Sequence, residues 1–96
     1  MSYFLVYSKL PKLTEEMMMK IPQHRAKIDK YLQMGKVVSY AVAADRSALW
    51  MTVFAADETA VMDLLSKLPL VEFLNPEITP LMFQLSPDLV QSVSWN

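Results

Sequence analysis

Three segments of the chain are apolar on both faces of a strand, and this lack of alternation limits the folds open to it. Residues 2–9 (Ser-Tyr-Phe-Leu-Val-Tyr-Ser-Lys) place Tyr3, Leu5 and Tyr7 on one side and Phe4, Val6 and Ser8 on the other. Lys36 to Ala44 and Ala48 to Ala55 read as a hairpin about Asp45-Arg46-Ser47, and neither strand has a cleanly polar side. An antiparallel sheet with one solvated face alternates polar and apolar residues along its strands. Both faces of this sheet therefore need a cover.

The segments between the strands supply part of it. Thr14 followed by Glu15 and Glu16 suits a helix start, with a hydroxyl cap and carboxylates at the positive end of the dipole. Pro22 removes a backbone donor, so the sequence predicts a short turn or kinked segment over 14–20 and a main helix over 21–34. Gly35, the only glycine, sits where a left-handed helix terminator belongs. Asp57 opens a second helix carrying Ala60, Val61, Leu64, Leu65 and Leu68 on one stripe, and Pro69 stops it. Residues 70–76 read as a loop and Glu77 to Leu85 as a fourth strand, with Pro80 marking an edge or bulge. A further helix start is expected at Ser86-Pro87-Asp88, with Leu89, Val90, Val93 and Trp95 behind it. The order is β-α-β-β-α-β, an α+β, ferredoxin-like arrangement over residues 1–96: a four-stranded antiparallel sheet with two helices on one face.

Two helices cover one face, and Phe4, Val6, Val38, Tyr40, Val42, Met51 and Val53 are more than they are expected to hide. The simplest cover for the other face is a second copy of the sheet, giving a homodimer of the dimeric α+β barrel type. Composition supports association: hydrophobic residues form 53% of the 96 and charged residues 20%, against about 25% charged in an average soluble domain. With no cysteine and one histidine, neither a disulfide nor a zinc site is expected to stabilise the fold. No run of about 18 apolar residues and no signal-peptide pattern occur, so no membrane partner is expected and the location predicted is cytoplasmic. A net charge of −1 argues against a nucleic-acid partner.

Few residues can carry chemistry. His24 lies three after Ile21 and four before Ile28, on the apolar stripe with Tyr31 and Leu32, so it points toward the sheet. An inward histidine serves as a general acid or base, or is a core residue satisfied by a tyrosine or backbone group. Arg25, Lys27, Asp29 and Lys30 together read as a solvated helix face, although Arg25 at the stripe's margin can reach a pocket mouth and hold a carboxylate. Glu15 and Glu16 are simplest as helix-start charges, but either becomes a proton carrier if that segment folds over a pocket. Tyr7, Tyr40 and Trp50 are strand aromatics, more often core or dimer contacts than ligand shelves. Met17-Met18-Met19 suits core filling or an adaptable pocket wall. No glycine-rich phosphate loop, serine triad or metal-spaced cluster is present in the sequence.

Several stretches together resemble the muconolactone isomerase family: the first strand ending in Leu10-Pro11, Leu32-Gln33-Met34-Gly35, Asp57 through Leu68, Leu65-Ser66-Lys67-Leu68-Pro69-Leu70, and Glu77-Ile78-Thr79-Pro80-Leu81. YCII-like and other dimeric α+β barrel proteins share the layout. The resemblance covers nearly the whole chain. It implies dimers packed sheet to sheet, often built into a larger homo-oligomer. It also implies proton transfer without a cofactor on a small anionic lactone or another metabolite of aromatic-compound catabolism, in a pocket between the sheet and the first helix. Where the family resemblance implies a lysine- and glutamate-bearing stretch, this chain reads Pro22-Gln23-His24-Arg25-Ala26-Lys27. His24 then stands as the proton carrier, Arg25 as the carboxylate anchor, and Tyr7 or Tyr40 as hydrogen-bond donor to the developing enolate. The alternative is a non-catalytic small-ligand-binding or assembly module on the same fold.

Overall fold

In the computed structural model, which describes residues 1–87, the aromatic and β-branched N-terminal run becomes strand β1, Ser2–Lys9. Helix α1 (Glu15–Gln33) follows, then β2 (Val37–Val42), β3 (Ala48–Ala55), helix α2 (Glu58–Ser66), a 3-10 turn (Val71–Phe73) and β4 (Pro76–Pro80). The strands lie in the order β2-β3-β1-β4 with every neighbouring pair antiparallel. This is the ferredoxin-like βαββαβ fold expected from the sequence. The helix expected from Ser86-Pro87-Asp88 onward falls almost wholly outside the described residues.

The capping residues act as read. Thr14 Oγ1 accepts from the Met17 amide at 3.2 Å, and the Asp57 carboxylate accepts from the Ala60 amide at 2.8 Å. Gly35 takes φ +74° and closes α1: its amide donates to the Leu32 carbonyl and that of Lys36 to the Tyr31 carbonyl. That pair of bonds is the Schellman motif, which requires a left-handed residue at this point.

Pro22 does not divide the helix, which corrects the expected break. Met17, His24, Ile28 and Tyr31 are all buried, and they form one straight stripe running past the proline. Packing both halves on one sheet outweighs the missing bond, because helix stability in proteins comes mostly from such packing. Pro22 and Met18 both face outward, so the Met18 carbonyl that lost its partner can be hydrated. Leu32, expected on the stripe, is instead 39% exposed.

Cross-strand register fixes which residues the helices cover. Phe4, Val6, Met51 and Val53 are 5% exposed or less and form the core with Ile28, Tyr31, Val61 and Leu65. They are therefore not the residues left for a partner sheet. The uncovered face carries Tyr3, Leu5 and Tyr7 opposite Phe54, Thr52 and Trp50. Its aromatics pair across the strands, Tyr3 on Phe54 at 4.7 Å between centroids and Tyr7 on Trp50 at 5.9 Å. β4 ends at Pro80, short of the expected Leu85, because a proline at the end of an edge strand closes the ladder. The Tyr31 hydroxyl donates to the Leu64 carbonyl at 2.8 Å and ties α1 to α2.

Since Pro22 lies exposed inside a continuous helix, Pro22→Ala should stabilise the protein by about 2–3 kcal/mol, less the entropy regained by the unfolded chain. Urea unfolding checks this. An unchanged midpoint would mean that the helix had already adapted to the proline.

Candidate active site

β1 runs into the 10–14 segment, and β2 into the turn before β3, at the same end of the sheet. There α1 and the sheet leave a cavity of about 650 Å³ between them. Leu10, Leu13, Met17, Ile21, Ile28 and Leu49 make it apolar from the sheet and helix side, and Leu70, Phe73 and Leu74 close it from the 3-10 turn. Among these walls stand His24, Arg25 and Asp29 from α1, Tyr40 from β2 and Arg46 from the β2–β3 turn. An apolar cleft with a few convergent polar groups is the usual form of a small-ligand site.

His24 is 4% exposed, and its Nε2 lies 3.3 Å from the Tyr40 hydroxyl. That contact is loose for a hydrogen bond to a hydroxyl. Its Nδ1 is buried with no partner among the described residues. One polar atom of the ring is therefore unsatisfied in either neutral tautomer, at a cost of about 1–3 kcal/mol. Burial lowers the imidazole pKa from its ordinary 6.5, so the ring is neutral at neutral pH. Burial raises the Tyr40 phenol pKa, and the nearby Arg25 charge partly opposes that shift. Tyr40 therefore keeps its proton at neutral pH, and which of the two groups donates across the contact follows the imidazole tautomer.

Three of the residues expected from the sequence thus meet in one cavity: His24, Arg25 and Tyr40. Tyr7 does not join them. It alternates onto the opposite face of the sheet, where it packs on Trp50. Glu15 and Glu16 are exposed on the first turn of α1 and do not line the cavity. Of the methionine run, Met17 lines it while Met18 and Met19 face solvent. Asp29 and Arg46 were not singled out for the site. Arg46 was legible only as a hairpin residue, since a turn's direction over a pocket has no local sequence signal. Among the described residues, no group of three or more His, Cys, Asp or Glu could hold a metal ion. No helix among them is long and apolar enough to cross a membrane.

A ferredoxin-like sheet with a cavity under its first helix places the chain among the α+β proteins of βαββαβ order. Residues 8–84 match the muconolactone delta-isomerase family, and the chain belongs to that family. A search of curated proteins found no match.

The lowered histidine pKa has a consequence for stability. As pH falls below 6.5, the unfolded chain takes up the proton before the folded one does. The His24 contribution is therefore complete above 6.5 and declines with falling pH until the folded-state pKa is passed. Denaturant unfolding of the wild type should weaken across that interval, and His24→Gln should weaken less. Parallel pH profiles would show that His24 titrates alike in both states.

Proposed function

We propose that the protein is an isomerase that moves a proton within a small, anionic, unsaturated lactone, using its own side chains and no cofactor. The reading is carried by the His24–Tyr40 pair, set beside Arg25 in an apolar cavity. Neutral His24 would remove a proton from the saturated γ carbon of the ring, which the double bond links to the lactone carbonyl. The electron pair then shifts toward the carbonyl oxygen, forming a dienolate. The imidazolium returns the proton at the other end of the conjugated system, so the double bond moves and no atom is gained or lost. Tyr40, still protonated, would turn its hydroxyl from Nε2 to the developing oxyanion. That turn breaks only a loose contact and frees the Nε2 lone pair for the carbon acid. Arg25 adds positive charge at the same place.

A second reading, a binding module without turnover, is favoured by how completely His24 is buried and already engaged by Tyr40. Turnover of muconolactone by the purified chain separates the two. His24→Gln should lower the rate by about 10²–10⁴-fold, and Tyr40→Phe by about 10²–10³-fold. Wild-type rates equal to those of His24→Gln would leave the binding module as the better account.

The same proposal includes a homodimer in the cytoplasm, in which the Tyr3–Phe54 and Tyr7–Trp50 face meets a second copy. An apolar, aromatic sheet face is costly to leave in water, and a copy of itself matches its size and character. Trp50→Glu should yield a folded monomer by light scattering, because a charge facing the partner sheet lacks a counter-charge. A wild-type mass of 11.0 kDa at micromolar concentration would exclude the dimer.

A further inference from the structure

The cavity has two arginines, yet the reaction just described uses only one. Among the described residues neither Arg25 nor Arg46 makes an ion pair or a side-chain hydrogen bond. Two unpaired guanidiniums on the wall of one apolar cavity, in a chain of net charge −1, mark a local reversal of sign that draws in anions. The single carboxylate on the wall, Asp29, is exposed and pairs with neither of them. Arg25 is the charge that acts on Tyr40, so it belongs to the end of the cavity where the oxyanion forms. Arg46 enters from a different element, the β2–β3 turn.

The conformation of Arg46 adds an independent observation. It has φ +64°, the sole non-glycine residue with a positive φ among those described. A left-handed turn position favours glycine or asparagine, and the Cβ of arginine gives it a modest backbone strain there. The side chain is not needed to build the turn. The Arg46 amide donates to the Ala43 carbonyl at 2.8 Å, and the Asp45 carboxylate accepts from the Ser47 amide at 3.0 Å. The Asp45 carboxylate stays ionised and is turned to Ser47, and among the described residues it makes no ion pair with Arg46. Backbone strain retained at a residue that faces a pocket is a mark of function.

We propose that Arg46 is the specificity residue of this site: it holds the substrate's carboxylate at the turn end of the cavity, leaving Arg25 to serve the reacting oxygen. The inference rests on the isomerase reading for the identity of the ligand, an unsaturated ring acid. It moves the carboxylate from Arg25, where the sequence alone put it, to Arg46. The division suits catalysis. A cation on a group whose charge does not change helps binding, and a cation beside an oxygen that becomes charged helps the chemical step.

The probe is 2-furoate, a flat five-membered ring bearing one carboxylate, titrated into the purified full chain by calorimetry, with its neutral amide as control. Arg46→Gly relieves the strained φ, so its melting temperature should equal or exceed that of the wild type. It should nevertheless bind furoate about tenfold or more weakly, as expected for loss of a charge-assisted contact, and bind the amide as the wild type does. Arg46→Lys should recover part of the loss, and Arg25→Gln should weaken furoate binding by less than about threefold. On the lactone, Arg46→Gly should raise KM with kcat retained, and Arg25→Gln should lower kcat. Wild-type furoate affinity in Arg46→Gly, an equal loss in Arg25→Gln, or no furoate binding by the wild type would each overturn the assignment. Absence of turnover, with furoate binding still dependent on Arg46, would sink the isomerase reading and leave the anchor standing.

Discussion

The stripe Met17, His24, Ile28 and Tyr31 laid against the sheet is the contact on which the rest of the molecule depends. It holds α1 continuous across Pro22, which local propensity alone would treat as a break. It also delivers His24 to the sheet as a member of the packed face. The C-terminal half of the stripe seals the core, with Tyr31 reaching the α2 backbone at Leu64. Toward the N-terminal half the helix and sheet enclose a cavity instead, walled by Leu10, Leu13 and the 3-10 turn. One docked helix therefore makes both the hydrophobic core and the place where a ligand fits.

The cavity wall sets the protonation states of its polar pair through desolvation. The same apolar surroundings push the His24 imidazole down and the Tyr40 phenol up. At neutral pH that leaves a neutral imidazole beside a protonated phenol, the pairing on which the proposed proton transfer rests. Arg25 moderates the shift at Tyr40 and so favours negative charge on an oxygen there. The Nδ1 of His24, without a partner among the described residues, is the cost of placing an imidazole so deep.

Much of the fold was legible because its signals are local. The aromatic and β-branched strand runs, the Thr14 and Asp57 caps, Gly35 after the first helix and the α2 stripe each depend on neighbours within a few residues. The misreadings share another cause. Pro22 was weighed by helix propensity, whereas the packed stripe on both sides of it decided the outcome. Of the seven residues that two helices are not expected to hide together, Phe4, Val6, Met51 and Val53 are covered and Val42 is not, because the pattern along a strand separates the two faces without saying which one the helices take. The same ambiguity set Tyr7 beside Tyr40 as an equal candidate, although they lie on opposite faces of the sheet.

By itself the sequence determined the order of elements, the caps at Thr14 and Asp57, the Gly35 terminator and the inward aim of His24 on its helix. All of these follow from spacing along the chain. Only the tertiary structure decided that Tyr40 meets His24, that Tyr7 does not, and that Arg46 turns over the same cavity from a hairpin more than twenty residues from Arg25 in the sequence. The register of β2 on β3, the choice of covered face and the path of the β2–β3 turn bring those groups together. Each is a property of contacts between distant segments, so no window of the sequence contains it.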